Sequence, residues 1–495
     1  MSTAEQAPTV PARQLRRELV IAAMLISTFM AAVEVTVIST AMPTIVAELG
    51  GFSLFSWAFG AYLLTQAVVT PLYGRLADSY GRKRVYLASA GLFLAGSLLC
   101  GCAWSMVSLI LFRAVQGIGG GGLVPLATTI IGDVSEPADR PRMMGYVSGI
   151  WGISAIVGPL LGAFFVNSLG WPFVFWVNLP IGVLAMAMIA RFLHEPPRTG
   201  RHQPIDLPGA GLLVVGIGAV MVALVQVETL GARALIALAA LGAVALGGFA
   251  WRERRVADPL LPTHLLRRPI ILAADASALL CGALLIGTSA FLPTWVQGVG
   301  GGSALAAGIV LGVMTVSWTI ASLSMSRFLA RLRLRPVAIV ASIVLVAGGC
   351  GLMLVAARQT VLWLDLCCVA IGVGLGLNSL VFTVAVQSGV ARADRGRATA
   401  LFYFSRLIGQ ALGAAAFGGV LNRGLERAAA GSRDIVHDLV SGTSRAALAG
   451  PELDRLVDTL AGALHAVFVL GGIIAIGALL VSLCVPRRAQ LGQEE

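Results

Sequence analysis

Glu34 stands about fifteen residues into an apolar run that begins near Leu19. Arg113 lies inside another run, LILFRAVQGIGGGG (109–122), with Gln116 three residues on and therefore on the same helical face. Arg406 sits within a third, and Asp275 and Asp365 fall near the ends of theirs. An unpaired carboxylate or guanidinium loses several kcal/mol when removed from water, so each of these groups must neutralise, pair or meet a charged ligand. A carboxylate in such a place is suited to carrying a proton, because desolvation and a neighbouring cation pull its protonation in opposite directions. A permanent ion pair that fixes helix packing is the other reading of Glu34 and Arg113. The proton-carrier reading expects Glu34→Gln to leave stability near that of the parent. Other chemistry is not spelled out. There is no HExxH, no nucleophile–base pairing, no cofactor fingerprint and no GxxxxGK[ST], so neither an enzyme nor direct use of ATP is expected. The five histidines are scattered, and the seven cysteines contain no CxxC, so no metal site is expected and the thiols read as free.

The elements that must hold these charges are apolar and long. Of 495 residues 57% are hydrophobic and 12% charged, and the mean hydropathy is +0.88, which is the composition of a transmembrane chain. Fourteen segments suit a bilayer-crossing helix: 19–42, 54–74, 85–103, 105–131, 143–166, 172–192, 208–228, 232–251, 270–293, 305–325, 337–356, 361–385, 398–421 and 462–485. The first is too long for a signal-peptide core and carries Glu34, so it reads as a retained helix. With the N-terminus in the cytoplasm, 26 of the 35 basic residues fall on cytoplasmic segments such as RLADSYGRKR and SRFLARLRLR. That bias places both termini inside and accounts for the net charge of +11 without nucleic acid. The segment 422–460 is polar and reads as a solvated outer loop.

A repeat sets the architecture. ADRPR at 138–142 returns as ADRGR at 393–397, and the same offset of 255 relates Gly117, Gly119 and Gly121 to Gly372, Gly374 and Gly376, and Gly158 to Gly413. Six helices occupy about 190 residues here, so the offset leaves room for two more between the halves. The expectation is an all-α membrane protein of six plus two plus six helices. Its parts are a tail 1–18, a first bundle 19–195, a linker with two extra helices 196–268, a second bundle 269–485 and a tail 486–495. Parallel repeats of this kind place a substrate cavity at their interface.

Several stretches carry a family resemblance. GRLADSYGRKR (74–84) puts both charge signs at a helix mouth, with Gly74 for close helix approach and Gly81 for the turn. In GISAIVGPLLGA (152–163), Gly158 and Gly162 form a flat stripe and Pro159 favours a bend. GWPFVFWVNLPIG (170–182) holds Asn178 beside Pro180, where its amide is placed to satisfy a freed carbonyl. WAFGAYLL (57–64) sets Tyr62 deep in helix 2. With EVTVISTAMP (34–43) and the Arg113 segment, these resemble the major facilitator superfamily, and within it the fourteen-helix drug:proton antiporter branch. Glu34 stands where the branch usually has aspartate.

The resemblance implies proton coupling by Glu34 and Arg113 and a conformational switch at Gly74, Asp78, Gly81 and Arg82. It implies an antiporter motif at Gly158, Pro159 and Gly162. Tyr62, Gln116, Asn178 and Arg406 are candidate cavity residues, with Asp275 and Asp365 as secondary charges. The implied protein is a monomeric, multi-pass exporter in a bacterial inner membrane. It would exchange amphipathic compounds for protons, with no cofactor beyond the coupling proton and with the lipid bilayer as its surroundings. Export of an endogenous solute (a lipid, siderophore or self-made antibiotic) is the alternative, and a non-transporting sensor is more remote.

Overall fold

The structure is a computed structural model that describes residues 12–136, 139–195, 206–227, 230–256, 259–261, 263–326, 333–355, 361–390, 394–428, 439 and 450–486. Within these residues the first part holds α1 (Ala12–Leu49), α2 (Phe55–Tyr80), α3 (Arg82–Gly101), α4 (Met106–Val134), α5 (Arg140–Ser168), α6 (Pro172–Trp176) and α7 (Asn178–Phe192). Then come α8 (Leu207–Val225) and α9 (Ala232–Glu253). The last part holds α10 (Pro269–Thr294), α11 (Ala304–Ser326), α12 (Leu334–Met353), α13 (Val361–Ser388), α14 (Arg395–Ala428) and α15 (Gly450–Leu483). Helices are what lipid demands, since each satisfies its own backbone polar groups. Thirteen spans among the described residues are long and apolar enough to cross a membrane. The more polar α2 is the fourteenth, because it alone returns the chain from the end of α1 to the start of α3.

The helices alternate in direction, so the arginine-rich loops gather at one end, called here the basic end, and the other is the distal end. Helices α1–α7 pack on one another and α10–α15 on one another, with α8 and α9 paired beside them. The expected polar loop 422–460 is corrected at both edges. Helix α14 continues to Ala428 and α15 begins at Gly450. At 34 residues and about 1.5 Å per residue, α15 outruns the hydrocarbon layer, so its polar first turns extend beyond it. Residues 429–438 and 440–449 lie outside the described set. The span expected at 172–192 is divided at Val177 into α6 and α7.

The glycine repeat is a packing repeat. A Cβ on Gly117 or Gly121 would strike α2, and one on Gly119 would strike α3. Their counterparts Gly372 and Gly376 meet α11, and Gly374 meets α12. Gly158 and Gly162 lie against Thr36, Val37 and Thr40 of α1, as Gly413 lies against Ala283 of α10. Lipid gives helices no hydrophobic reason to associate, so close backbone approach through small residues supplies the contact. Both halves therefore use one set of contacts in one register.

Exposed cysteines mark the two ends, Cys102 after α3 at the distal end and Cys484 after α15 at the basic end. A membrane-impermeant maleimide added to intact cells should modify Cys102 and reach Cys484 only after permeabilisation. The opposite pattern would invert the orientation read from the arginines.

Candidate functional site

Glu34 on α1 and Arg113 on α4 meet in an ion pair. Their side chains are 0% and 2% exposed, so the pair is sealed inside the first bundle. The guanidinium also donates to the Ala58 carbonyl at 3.1 Å and to Gln116 Oε1 at 2.6 Å, and lies 4.1 Å from the centroid of the Tyr62 ring. The other carboxylate oxygen accepts from Asn178 Nδ2 at 2.6 Å. Ser97 on α3 closes the network, accepting from Gln116 Nε2 at 2.9 Å and from Asn178 Nδ2 at 3.0 Å. Helices α1, α2, α3, α4 and α7 thus converge on one charge pair.

This geometry revises three expected placements. Tyr62, Gln116 and Asn178 were expected at a substrate cavity, and all are buried around the ion pair. Each turns its polar or aromatic group to the two charges, which need every available partner once water is excluded. The amide of Asn178 serves Glu34 and Ser97 rather than a carbonyl freed by Pro180. Glu34 itself is a paired group, so the expectation that Glu34→Gln leaves stability unchanged is also revised.

The loop between α2 and α3 turns on Gly81, whose φ of 93° suits glycine. Arg82 forms an ion pair with Asp133 on α4, and its backbone N–H donates to Glu195 Oε1 at 2.8 Å. Lys83 reaches the carbonyls of Ala190 and Leu193. Asp78 is exposed. Gly74 departs from expectation: a Cβ there would meet nothing within 4 Å, so no helix is packed against it in this conformation. Nothing local marks Asp133 and Glu195, which lie far along the chain and meet the loop only through folding.

Among the described residues the second bundle has no counterpart of the ion pair. Its buried network is neutral. Asn378 Oδ1 accepts from Ser277 at 2.8 Å, and Asn378 Nδ2 donates to Ser342 at 3.2 Å. Arg406 stacks over Trp318, 4.9 Å from the ring centroid, and no acid pairs with it among the described residues. Asp275 is buried rather than at an interface, with Ser405 as its polar neighbour. Asp365 is half-buried near the start of α13.

The bundles meet tightly at the distal half. Asn422 donates to the Ser53 carbonyl at 2.9 Å and Gln297 to the Thr40 carbonyl at 3.4 Å. Phe55 and Phe291 lie 5.3 Å apart, Gly418 abuts Ser56, and Gly308 abuts Pro159. Helix α8 fills the seam between α2 and α14, with Met221 against Gly60 and Leu224 against Gly419. Nearer the basic end, Gly74 on α2 and Gly145 and Gly149 on α5 have open space in place of a Cβ.

A family model described as Major Facilitator Superfamily matches residues 24–414. The chain belongs to the major facilitator superfamily. It is 35% identical over 419 residues to Multidrug resistance protein 3 of Bacillus subtilis (strain 168), covering 83% of this chain and 81% of that one. It is 32% identical over 418 residues to the multidrug transporter protein MdtP of the same organism, covering 83% and 76%. Among solved structures, a bacterial homologue of the human lysosomal transporter Spinster, inward-facing and unoccupied, superposes with a TM-score of 0.67 at 18% identity, over 97% of this chain and 98% of that one. A D-xylose–proton symporter gives 0.61 at 12% identity, over 95% and 98%. At those identities the structures share the fold. The protein is thus a multi-pass membrane transporter whose relatives include multidrug efflux proteins, and these superfamily relatives are not enzymes.

In this superfamily member, the sealed pair makes a stability prediction. Glu34→Gln strands the Arg113 charge and should cost about 3–5 kcal/mol, whereas Glu34→Gln combined with Arg113→Gln should lose less than the two single changes summed. Thermal unfolding of the four proteins in detergent measures this coupling. Additive losses would show that the two side chains act independently.

Proposed function

We infer that this transporter is a proton-coupled exporter of amphipathic compounds that works by alternating access in a bacterial inner membrane. One observation carries the reading: among the described residues, an ion-paired carboxylate is sealed inside the first bundle and has no ion-paired counterpart in the second. Protonating Glu34 removes its charge, weakens its hold on Arg113 and Asn178, and loosens α1 from α4 and α7. Helix α1 is also the helix that Gly158 and Gly162 pack against and that offers the Thr40 carbonyl to Gln297 of the other bundle. Proton binding is thereby connected to the distal closure through one rigid rod.

The asymmetry of the bundle contacts supports the same reading. The distal half is clamped, while Gly74, Gly145 and Gly149 stand clear. With the basic end in the cytoplasm, as the arginine bias favours, this is the conformation that loads substrate from inside. In the opposite conformation α2 closes against the second bundle, and Gly74 supplies the room. The multidrug names of the relatives favour efflux as the direction. One chain contains both bundles, so a monomer suffices, with 19–195 and 269–485 as the moving halves and 196–268 between them.

The test is exchange in proteoliposomes. The protein carrying both Glu34→Gln and Arg113→Gln should bind substrate yet show no exchange driven by a pH gradient. Wild-type exchange by that variant would assign the pair to packing alone. Separately, Gly74→Leu should keep the parent's thermal stability and lose transport, because the side chain has space in this conformation and none in the other. A Gly74→Leu protein that transports at the parent rate would remove this glycine from the switch.

A further inference from the structure

We propose that Arg406 and Trp318 form the anchor for an aromatic anion, so that the exported compounds include molecules with a carboxylate or sulfonate on a flat ring system. The proposal deepens the exporter reading by naming a substrate class, and it is tested by binding rather than by exchange.

Cys281 of α10, Trp318 of α11, Asn378 of α13, and Phe402 and Arg406 of α14 line a recess in the second bundle of about 10 Å³, room in this conformation for the charged head of a ligand, with its ring outside. Arg406 is eleven residues from the start of α14 at Arg395. At about 1.5 Å per residue that is about 16 Å, near the middle of a bilayer. A guanidinium at that depth needs an anion or a water-filled space. Among the described residues it has neither an ion pair nor a hydrogen bond. Trp318 covers one face of the guanidinium. The acids on the four lining helices are Asp275, Asp365 and Glu426, and none lies within ion-pairing distance of it.

Two further facts narrow the ligand. Asn378 is buried and engaged, its oxygen accepting from Ser277 and Cys281 and one of its two amide N–H groups donating to Ser342. The one charged group that lines the recess is the Arg406 guanidinium. Across the interface, Glu34 is occupied by Arg113 and sealed, so that buried carboxylate is not free to hold a cationic compound. A planar guanidinium stacked on indole leaves its N–H edge for a carboxylate or sulfonate, and the indole and Phe402 supply the apolar surroundings for a ring.

The experiment measures the affinity of purified protein for two xanthene dyes of opposite charge, by fluorescence polarisation in a neutral detergent. Fluorescein is the anion and rhodamine 6G the cation. Fluorescein should bind the parent, and Arg406→Gln should weaken it about tenfold or more, the loss expected for a charge-assisted contact. Rhodamine 6G should not be weakened. Arg406→Lys should retain part of the fluorescein affinity, and Trp318→Ala should reduce it with the charge intact. These two variants also decide the question should Arg406→Gln fail to fold. Equal weakening of both dyes, or no fluorescein binding by the parent, overturns the proposal. Displacement of fluorescein by phosphatidylglycerol at comparable concentration would assign the recess to a lipid headgroup and overturn the solute reading. Failure of pH-driven exchange alone would count against the coupling mechanism and leave this site standing.

Discussion

The buried contact between Glu34 and Arg113 constrains the whole first bundle. Two charges out of water require partners on every side, and here they recruit Ser97, Gln116, Asn178, Tyr62 and the Ala58 carbonyl from the surrounding helices. Stability alone does not account for such a pair, since well-packed apolar residues of similar volume commonly serve as well or better. What a charge pair adds is a second state. Neutralising one member changes the preferred partners of all the others, and an apolar core has no equivalent response.

The two bundles share a backbone plan and differ in what they bury. Glycines in one register bring α4 against α2 and α3, and α13 against α11 and α12. On that common frame the first half places an ion pair and the second a chain of Ser277, Asn378, Ser342 and Ser482. Neutral hydroxyl and amide groups hold their geometry whatever the proton supply. On the proposed proton-coupled reading, the ion-paired network of the first half is the one that answers to a proton.

Much of this was legible in the sequence, because lipid restricts the chain to helices and each crossing needs an unbroken apolar run. The offset of 255 residues was visible because glycine has no substitute where backbones touch. Glu34 and Arg113 stood out because charges are rare in such runs. Their surroundings did not. Ser97 is a common residue in an ordinary stretch, and nothing local marks it as the acceptor shared by Gln116 and Asn178. Tyr62 and Asn178 were legible as polar groups at depth, yet the side of the helix they served depended on the rotation of α2 and α7, which the three-dimensional packing decides. Gly74 was misread for a different reason: a glycine marks where helices can approach closely, and here a Cβ would meet nothing within 4 Å.

The pair α8 and α9 joins the bundles in sequence and also in space, with α8 wedged between α2 and α14. A chain is synthesised from its N-terminus, so α8 can settle against Gly60 of α2 well before α14 exists. Helix α14 must then enter a groove whose two walls, Ser56 and Leu224, are already laid down. The inserted helices thereby impose an order on assembly: the later bundle is built onto a template that the earlier part of the chain has left waiting in the membrane.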